Sequence, residues 1–118
     1  MGMLAIDMKQ QGVLTQDTLV VTVMSNLGLR LGMEAAGIKV ATTAVGDRYV
    51  LEEMRAHGYV LGGEQSGHLI NARYATTGDG ILTALQIAAT VAKHRAPLSE
   101  LVAGISKLPQ TLINVAGV

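Results

Sequence analysis

Met1, Leu4, Ala5 and Met8 recur at helical spacing and Gly12 follows two glutamines, so the chain opens inside an amphipathic helix with no capping residue before it. Thr18 to Met24 (TLVVTVM) is β-branched and almost continuously apolar, the pattern of a strand covered on both faces. Ser25 or Asn26 then caps a helix through about Ala36, with Leu27, Leu31 and Ala35 on one stripe and Gly37 as its stop. Gly28 and Gly32 share another stripe; their spacing admits a close backbone neighbour, expected to be a sheet. Ile38 to Ala44 (IKVATTA) reads as a second strand. Asp47 is the expected N-cap of a helix from Tyr49 to His57 that turns Val50, Leu51 and Met54 inward before Gly58 ends it. A third strand covers Tyr59 to Gly62, and His68 to Ile70 forms a hairpin partner or an edge strand.

The longest helix starts at Thr77-Gly78-Asp79 and runs to about Arg95, with Ile81, Leu85, Ala88 and Ala92 on one face and Lys93, His94 and Arg95 suiting its negative end. Pro97 divides it from a helix carrying Leu98, Leu101, Val102 and Ile105. After Pro109, Gln110 to Val115 (QTLINV) has strand character, with no later segment to pair with it. Strand, helix and strand joined by short connections describe βαβ units, hence an α/β protein with a largely parallel sheet.

Composition narrows the functions available. Apolar residues make up 49% of the 118 and charged residues 15%, which excludes disorder and leaves a surface poor in charge. Nine Lys and Arg balance nine Asp and Glu and are scattered, so no basic face recruits nucleic acid. Three Tyr with neither Phe nor Trp leave almost no stacking platform, and the lack of Cys excludes disulfides, zinc knuckles and thiol catalysis. The first residues lack a basic signal region and meet Asp7 early; the longest apolar stretch, near Ile81 to Ala92, is broken by Thr83, Gln86 and Thr90 and is too short to span a bilayer. A cytoplasmic protein with no membrane partner is expected.

Ligands of open α/β sheets collect beyond the carboxyl ends of the strands, where three loops should meet: Met24-Ser25-Asn26, Val45-Gly46-Asp47-Arg48 and Gly62-Gly63-Glu64-Gln65-Ser66-Gly67-His68. In the third, glycines flank a carboxylate, as a sharp turn with a close ligand requires. Glu64 can accept from two neighbouring hydroxyls, Ser66 can donate or accept beside it, and His68 adds a further donor, a set that suits the vicinal diol of a sugar. The same residues also fit a Gly-rich turn whose Glu and Ser satisfy local backbone groups. The spacing is neither G-x-G-x-x-G nor a phosphate loop nor a G-x-S-x-G elbow, and no further ligands complete a metal site around Glu64 and His68. Asp47 as a second carboxylate for glycosidase chemistry has little support. Arg48, in the first turn of a helix at the ligand edge, is either solvated or an anion contact. For Thr76-Thr77-Gly78-Asp79-Gly80 a capping role is sufficient, and for His57 and His94 so is the helix dipole.

Gly63-Glu64-Gln65-Ser66-Gly67-His68 resembles the G-E-x-S-G-H sugar-recognition loop of the phosphohexomutase superfamily. Thr22-Val23-Met24-Ser25-Asn26-Leu27-Gly28 and Thr43-Ala44-Val45-Gly46-Asp47-Arg48-Tyr49-Val50 resemble its phosphoglucosamine mutase branch. The resemblance implies a three-layer α/β domain with a mixed, mostly parallel sheet of about four strands flanked by helices. It assigns residues 1–16 to the last helix of a second domain, 17–108 to a third, sugar-recognition domain, and 109–118 to the entry into a fourth. It implies substrate contacts from Glu64, Ser66, His68, Asp47 and Arg48, with Gly63, Gly67 and Gly46 shaping the loops. The implied reaction interconverts glucosamine 6-phosphate and glucosamine 1-phosphate, for UDP-N-acetylglucosamine and bacterial peptidoglycan, through a hexosamine 1,6-bisphosphate.

In that family a phosphoserine loop lies on domain 1, Mg²⁺ on a D-G-D-x-D-R loop of domain 2 and the substrate phosphate on an R-x-S-G-T loop of domain 4; none of these motifs occurs in the 118 residues. The chain alone is therefore expected to lack mutase activity and to bind no Mg²⁺, its partners being the phosphosugar and domains 1, 2 and 4. A phosphomannomutase or phosphoglucomutase domain, or a non-catalytic sugar-binding module, are the alternatives. Surfaces that face neighbouring domains should leave apolar patches on Met1 to Met8 and Leu112 to Val118, open to self-association.

Overall fold

The structure is a computed structural model that describes residues 1–117. Helix α1 (Gly2–Gln10) is followed by a short 3₁₀ turn (Thr15–Asp17), β1 (Thr18–Thr22), α2 (Leu27–Ala35), β2 (Lys39–Thr43) and α3 (Asp47–His57). Then come β3 (Leu61–Gly63), β4 (Leu69–Asn71), α4 (Gly80–His94) and the single-turn α5 (Leu98–Leu101). The strands form one sheet in the order β2-β1-β3-β4, with β1 parallel to both β2 and β3 and β4 antiparallel to β3.

Every residue of β1 is buried, as its continuous apolar run predicts, because the pleat sends alternate side chains into two separate cores. Leu19 and Val21 join Leu61, Leu69 and Met33 on the side of α1 and α2, whereas Val20 meets Val50, Met54 and Ile70 under α3. The expected three layers follow: helices, a mixed and mostly parallel four-stranded sheet, helix. Gly62 exists for this packing, since a Cβ there would lie 2.7 Å from Val50 Cγ1 and 2.8 Å from Met54 Sδ.

Helix α1 belongs to the larger core. Met3, Leu4, Ala5 and Met8 are buried, which corrects the expectation of an exposed apolar patch on Met1 to Met8. Asp7 is only 6% exposed and faces α4. Its Oδ1 accepts from Lys93 Nζ (3.0 Å) and His94 Nε2 (2.8 Å), its Oδ2 from Gln11 Nε2 (2.6 Å). Burial pushes the carboxyl upward, but the His94 and Lys93 hydrogen bonds and charges outweigh it and hold Asp7 below the usual carboxylate range. His94 thus does more than complement a helix dipole.

Five further expectations are corrected. On α2 the Leu27, Leu31 and Ala35 stripe is exposed; Gly28, Gly32 and Met33 turn inward, and the backbone of Gly104 to Ser106, not the sheet, lies against the two glycines. On α4 the Ile81, Leu85, Ala88 and Ala92 face points outward, with Ile81 78% exposed, because Gln86 and Thr90 occupy the packed side, where Gln86 accepts from the buried Asn71. Asp47 is the first residue of α3, not its cap. Gln110 to Val115 form no strand, since no neighbouring strand offers a ladder, and Leu112, Ile113 and Val115 are exposed as expected. Val118 lies outside the described residues.

Candidate functional site

Strand β1 continues to β2 on one side and has β3 on the other, so the order reverses between the carboxyl ends of β1 and β3. This is the position at which open α/β sheets leave a crevice. The Glu64–His68 loop is the turn of the β3–β4 hairpin, closed by Glu64 N donating to His68 O (2.8 Å) and Gly67 N to Glu64 O (3.2 Å). Gly67 has φ +102°, a conformation that favours glycine. A Cβ on Gly63 would lie 2.6 Å from the His68 carbonyl oxygen, so the glycine pair ahead of Glu64 answers to hairpin and helix packing before any ligand is considered.

Glu64 ties two loops together. Its side chain is only 9% exposed, and Oε1 accepts from the Gly46 amide at 2.9 Å, eighteen residues back in sequence. Gly46 is the N-cap residue of α3, with φ +133° and no capping side chain of its own. The acid expected from Asp47 at this helix start is therefore supplied by Glu64 from another element, where the positive end of α3 favours a carboxylate. With one oxygen so committed, Oε2 is the freer acceptor; it lies 3.6 Å from His68 Nδ1. Ser66 Oγ is 3.0 Å from the same ring nitrogen, which donates or accepts according to the imidazole tautomer. Glu64, Ser66 and His68 thus form one cluster, with His68 and Ser66 open to solvent.

Asp47 and Arg48 are brought to the same edge but not into this cluster. Both are exposed on the first turn of α3, and Arg48, 81% exposed, turns along the helix to Glu52 Oε1 at 2.9 Å. Asp79 Oδ1 caps α4 through Ile81 N and Leu82 N, each at 3.0 Å, which accounts for the Thr76 to Gly80 turn. Among the described residues no three His, Asp or Glu side chains gather as metal ligands would, and the carboxylate best placed, Glu64, is engaged by Gly46. The chain's own residues therefore do not fit a Mg²⁺ site.

Sequence reasoning missed three features of this edge. Thr22 Oγ1 reaches Gln65 Oε1 at 3.3 Å across the β1–β3 crevice. The Ser25 hydroxyl is buried with no hydrogen-bond partner among the described residues. Asn26 caps α2 as expected but also binds the distant segment around Leu108; the signal was its amide nitrogen, which a cap does not need.

The fold and this edge define a three-layer α/β domain with a crevice beyond the carboxyl ends of its parallel strands. Residues 1–108 match the family Phosphoglucomutase/phosphomannomutase, alpha/beta/alpha domain III, and the chain belongs to that family. It is 58% identical, over all 118 residues, to a phosphoglucosamine mutase of Leifsonia xyli subsp. xyli and 61% identical to one of Bifidobacterium longum subsp. infantis, covering 26% of each. It is also 60% identical over 115 residues to a phosphoglucosamine mutase of Nocardia farcinica, 25% of which it covers. The chain thus spans about a quarter of the length of these curated relatives. Among solved structures, a putative phosphomannomutase from Thermus thermophilus superposes with a TM-score of 0.76 at 28% identity, over 87% of this chain and 24% of that one. A phosphoglucomutase/phosphomannomutase family protein from Burkholderia thailandensis, 21% identical over 90% of this chain and 23% of its own, shares the fold with a TM-score of 0.75.

Proposed function

We propose that this chain is the sugar-recognition part of a phosphoglucosamine mutase, with residues 17–108 as the recognition domain, 1–16 ending a preceding domain and 109–118 leading into a following one. The observation that carries the reading is the Glu64 cluster: a carboxylate fixed in advance by the Gly46 amide, with Ser66 and His68 beside it at the β1–β3 crevice. Glu64 Oε2 accepts from a sugar hydroxyl, Ser66 Oγ donates to or accepts from its neighbour, and His68 extends the set at the solvent side. Orientation is the main service a protein gives to phosphoryl transfer, and a carboxylate already held in place loses little freedom when substrate arrives. Asp47 and Arg48 engage substrate only if the Arg48–Glu52 pair opens.

The full reaction on this reading interconverts glucosamine 6-phosphate and glucosamine 1-phosphate through a hexosamine 1,6-bisphosphate, in the cytoplasm, supplying UDP-N-acetylglucosamine for peptidoglycan. The phosphoserine, the Mg²⁺ loop and the phosphate loop belong to domains 1, 2 and 4, and no step here runs through them. The names of the relatives at 58–61% identity favour glucosamine phosphate over the substrates of phosphomannomutase or phosphoglucomutase.

Titration of ¹⁵N-labelled chain with glucosamine 6-phosphate tests the reading. Weak, millimolar binding that shifts the Gly46, Glu64, Ser66 and Gly67 amides, with smaller effects from mannose 6-phosphate, is the expected result. Saturating sugar phosphate that leaves those amides unmoved overturns it and returns the loop to a structural turn.

A further inference from the structure

The segment from Gly104 to Gln110 has no regular secondary structure, yet it is built into the molecule. Asn26 Oδ1 accepts from Leu108 N at 2.9 Å while also capping α2 through Gly28 N at 2.9 Å. Its Nδ2 donates to Leu108 O at 2.7 Å and to Gln110 Oε1 at 3.3 Å. Gln110 Nε2 returns a hydrogen bond to Met24 O at 3.0 Å. One amide side chain thus reads both backbone groups of Leu108, as a paired strand would, and a second amide answers it on the facing loop.

The helix under this segment is shaped to receive it. A Cβ on Gly28 would collide with the Ser106 carbonyl, and one on Gly32 would lie 2.9 Å from Gly104 O and 3.1 Å from Ile105 Cγ1. Two glycines in a nine-residue helix cost helix stability, so a stripe left clear where a backbone lies against it is a packing requirement. Capping alone would be served as well by Asp or Ser, neither of which could donate to Leu108 O.

We propose that Asn26 is a clasp that couples the segment leaving the domain to the ligand edge. Met24 to Asn26 is the first loop of the β1–β3 crevice, so closing the clasp fixes the residues after Gln110 relative to that crevice. The coupling is independent of which ligand the crevice takes.

Lys107 makes the clasp measurable. It is exposed within the strap, whereas Lys9 is bonded to Gly37 O, Lys39 lies in β2 and Lys93 is bonded to Asp7. Cleavage by a lysine-specific protease at Lys107 under native conditions, followed by intact mass, therefore reports how often the strap is open. Asn26→Asp keeps the oxygen that caps α2 and removes the donor to Leu108. It is expected to speed cleavage at Lys107 about tenfold with the other three sites unchanged. Gly28→Ala should do the same and lower the melting temperature, although alanine favours a free helix. Cleavage at the wild-type rate in both variants, or a raised melting temperature in Gly28→Ala, overturns the proposal. If Asn26→Asp opens every lysine site, Gln110→Ala decides, because it leaves the cap intact: faster cleavage confined to Lys107 supports the clasp, and an unchanged rate overturns it.

Discussion

Replacing Glu64 by Ala removes the carboxylate that accepts from the Gly46 amide while leaving the strands and α3 in place. A hydrogen bond from a backbone amide to a carboxylate contributes about 1.5 to 3 kcal/mol. The 2.9 Å distance and the 9% exposure of the side chain put this one in that range. Part of it is already spent on keeping a carboxylate out of water, so global stability should fall by about 1 kcal/mol, less than the local loss. The local effect is larger because the amide loses the whole bond: about 1.5 to 3 kcal/mol of opening free energy speeds its exchange with solvent about 10- to 100-fold. Hydrogen exchange followed by NMR resolves the two, with the amides of Val20 and Leu61 in the sheet as the reference for global unfolding. Glu64→Gln keeps an oxygen at the same reach and should retain most of the Gly46 protection. If Gly46 in Glu64→Ala exchanges faster only in proportion to Val20 and Leu61, the carboxylate does not latch the two loops, and a preset sugar acceptor loses its basis.

Two other outcomes concern α1 and α4. The Asp7 carboxyl is depressed below its ordinary value, so its stabilisation is fully present above the unfolded-state pKa and is lost as pH falls through the lower, folded one. Asp7→Asn should therefore cost about 1 to 2 kcal/mol at neutral pH, moderated by the solvent access of Lys93, and should flatten the acid limb of the melting temperature below about pH 4; parallel pH profiles for the two proteins would remove the network from the stability account. Ile81→Lys with Leu85→Lys changes two exposed positions on α4 and should leave the melting temperature within about 0.5 kcal/mol of stability while shifting sedimentation toward monomer at high concentration; an unchanged association constant would place any self-association elsewhere.

The sheet was legible because its signals are local. A seven-residue apolar run, turn glycines at 37, 58 and 67, and short connections define three parallel strands and a hairpin, and all appear within a residue or two. Helix facing was less legible. Ile81 and Leu85 are apolar and exposed, Gln86 and Thr90 polar and inward, because the inward pair meets Asn71 and its own helix backbone rather than oil. The candidate site was legible in composition but not in wiring: Glu64, Ser66 and His68 are close in sequence, whereas the Glu64–Gly46 bond and the Asn26–Leu108 clasp join elements that only the β1-centred strand order brings together. Asp47 misled for the same reason, since a helix start can borrow its acid from elsewhere in the chain.

The burial of α1 bears on how such proteins can be cut and recombined. A splice placed at Asp17, where the first strand begins, would look conservative, yet it would strip Leu4, Ala5 and Met8 from Leu19, Val21 and Leu61 and leave one face of the sheet wet. The unit that cooperates in folding is thus wider than the loops that form the candidate site. Chimeras that exchange the candidate-site loops between relatives should carry the first helix together with its Asp7 partners on α4, or exchange neither.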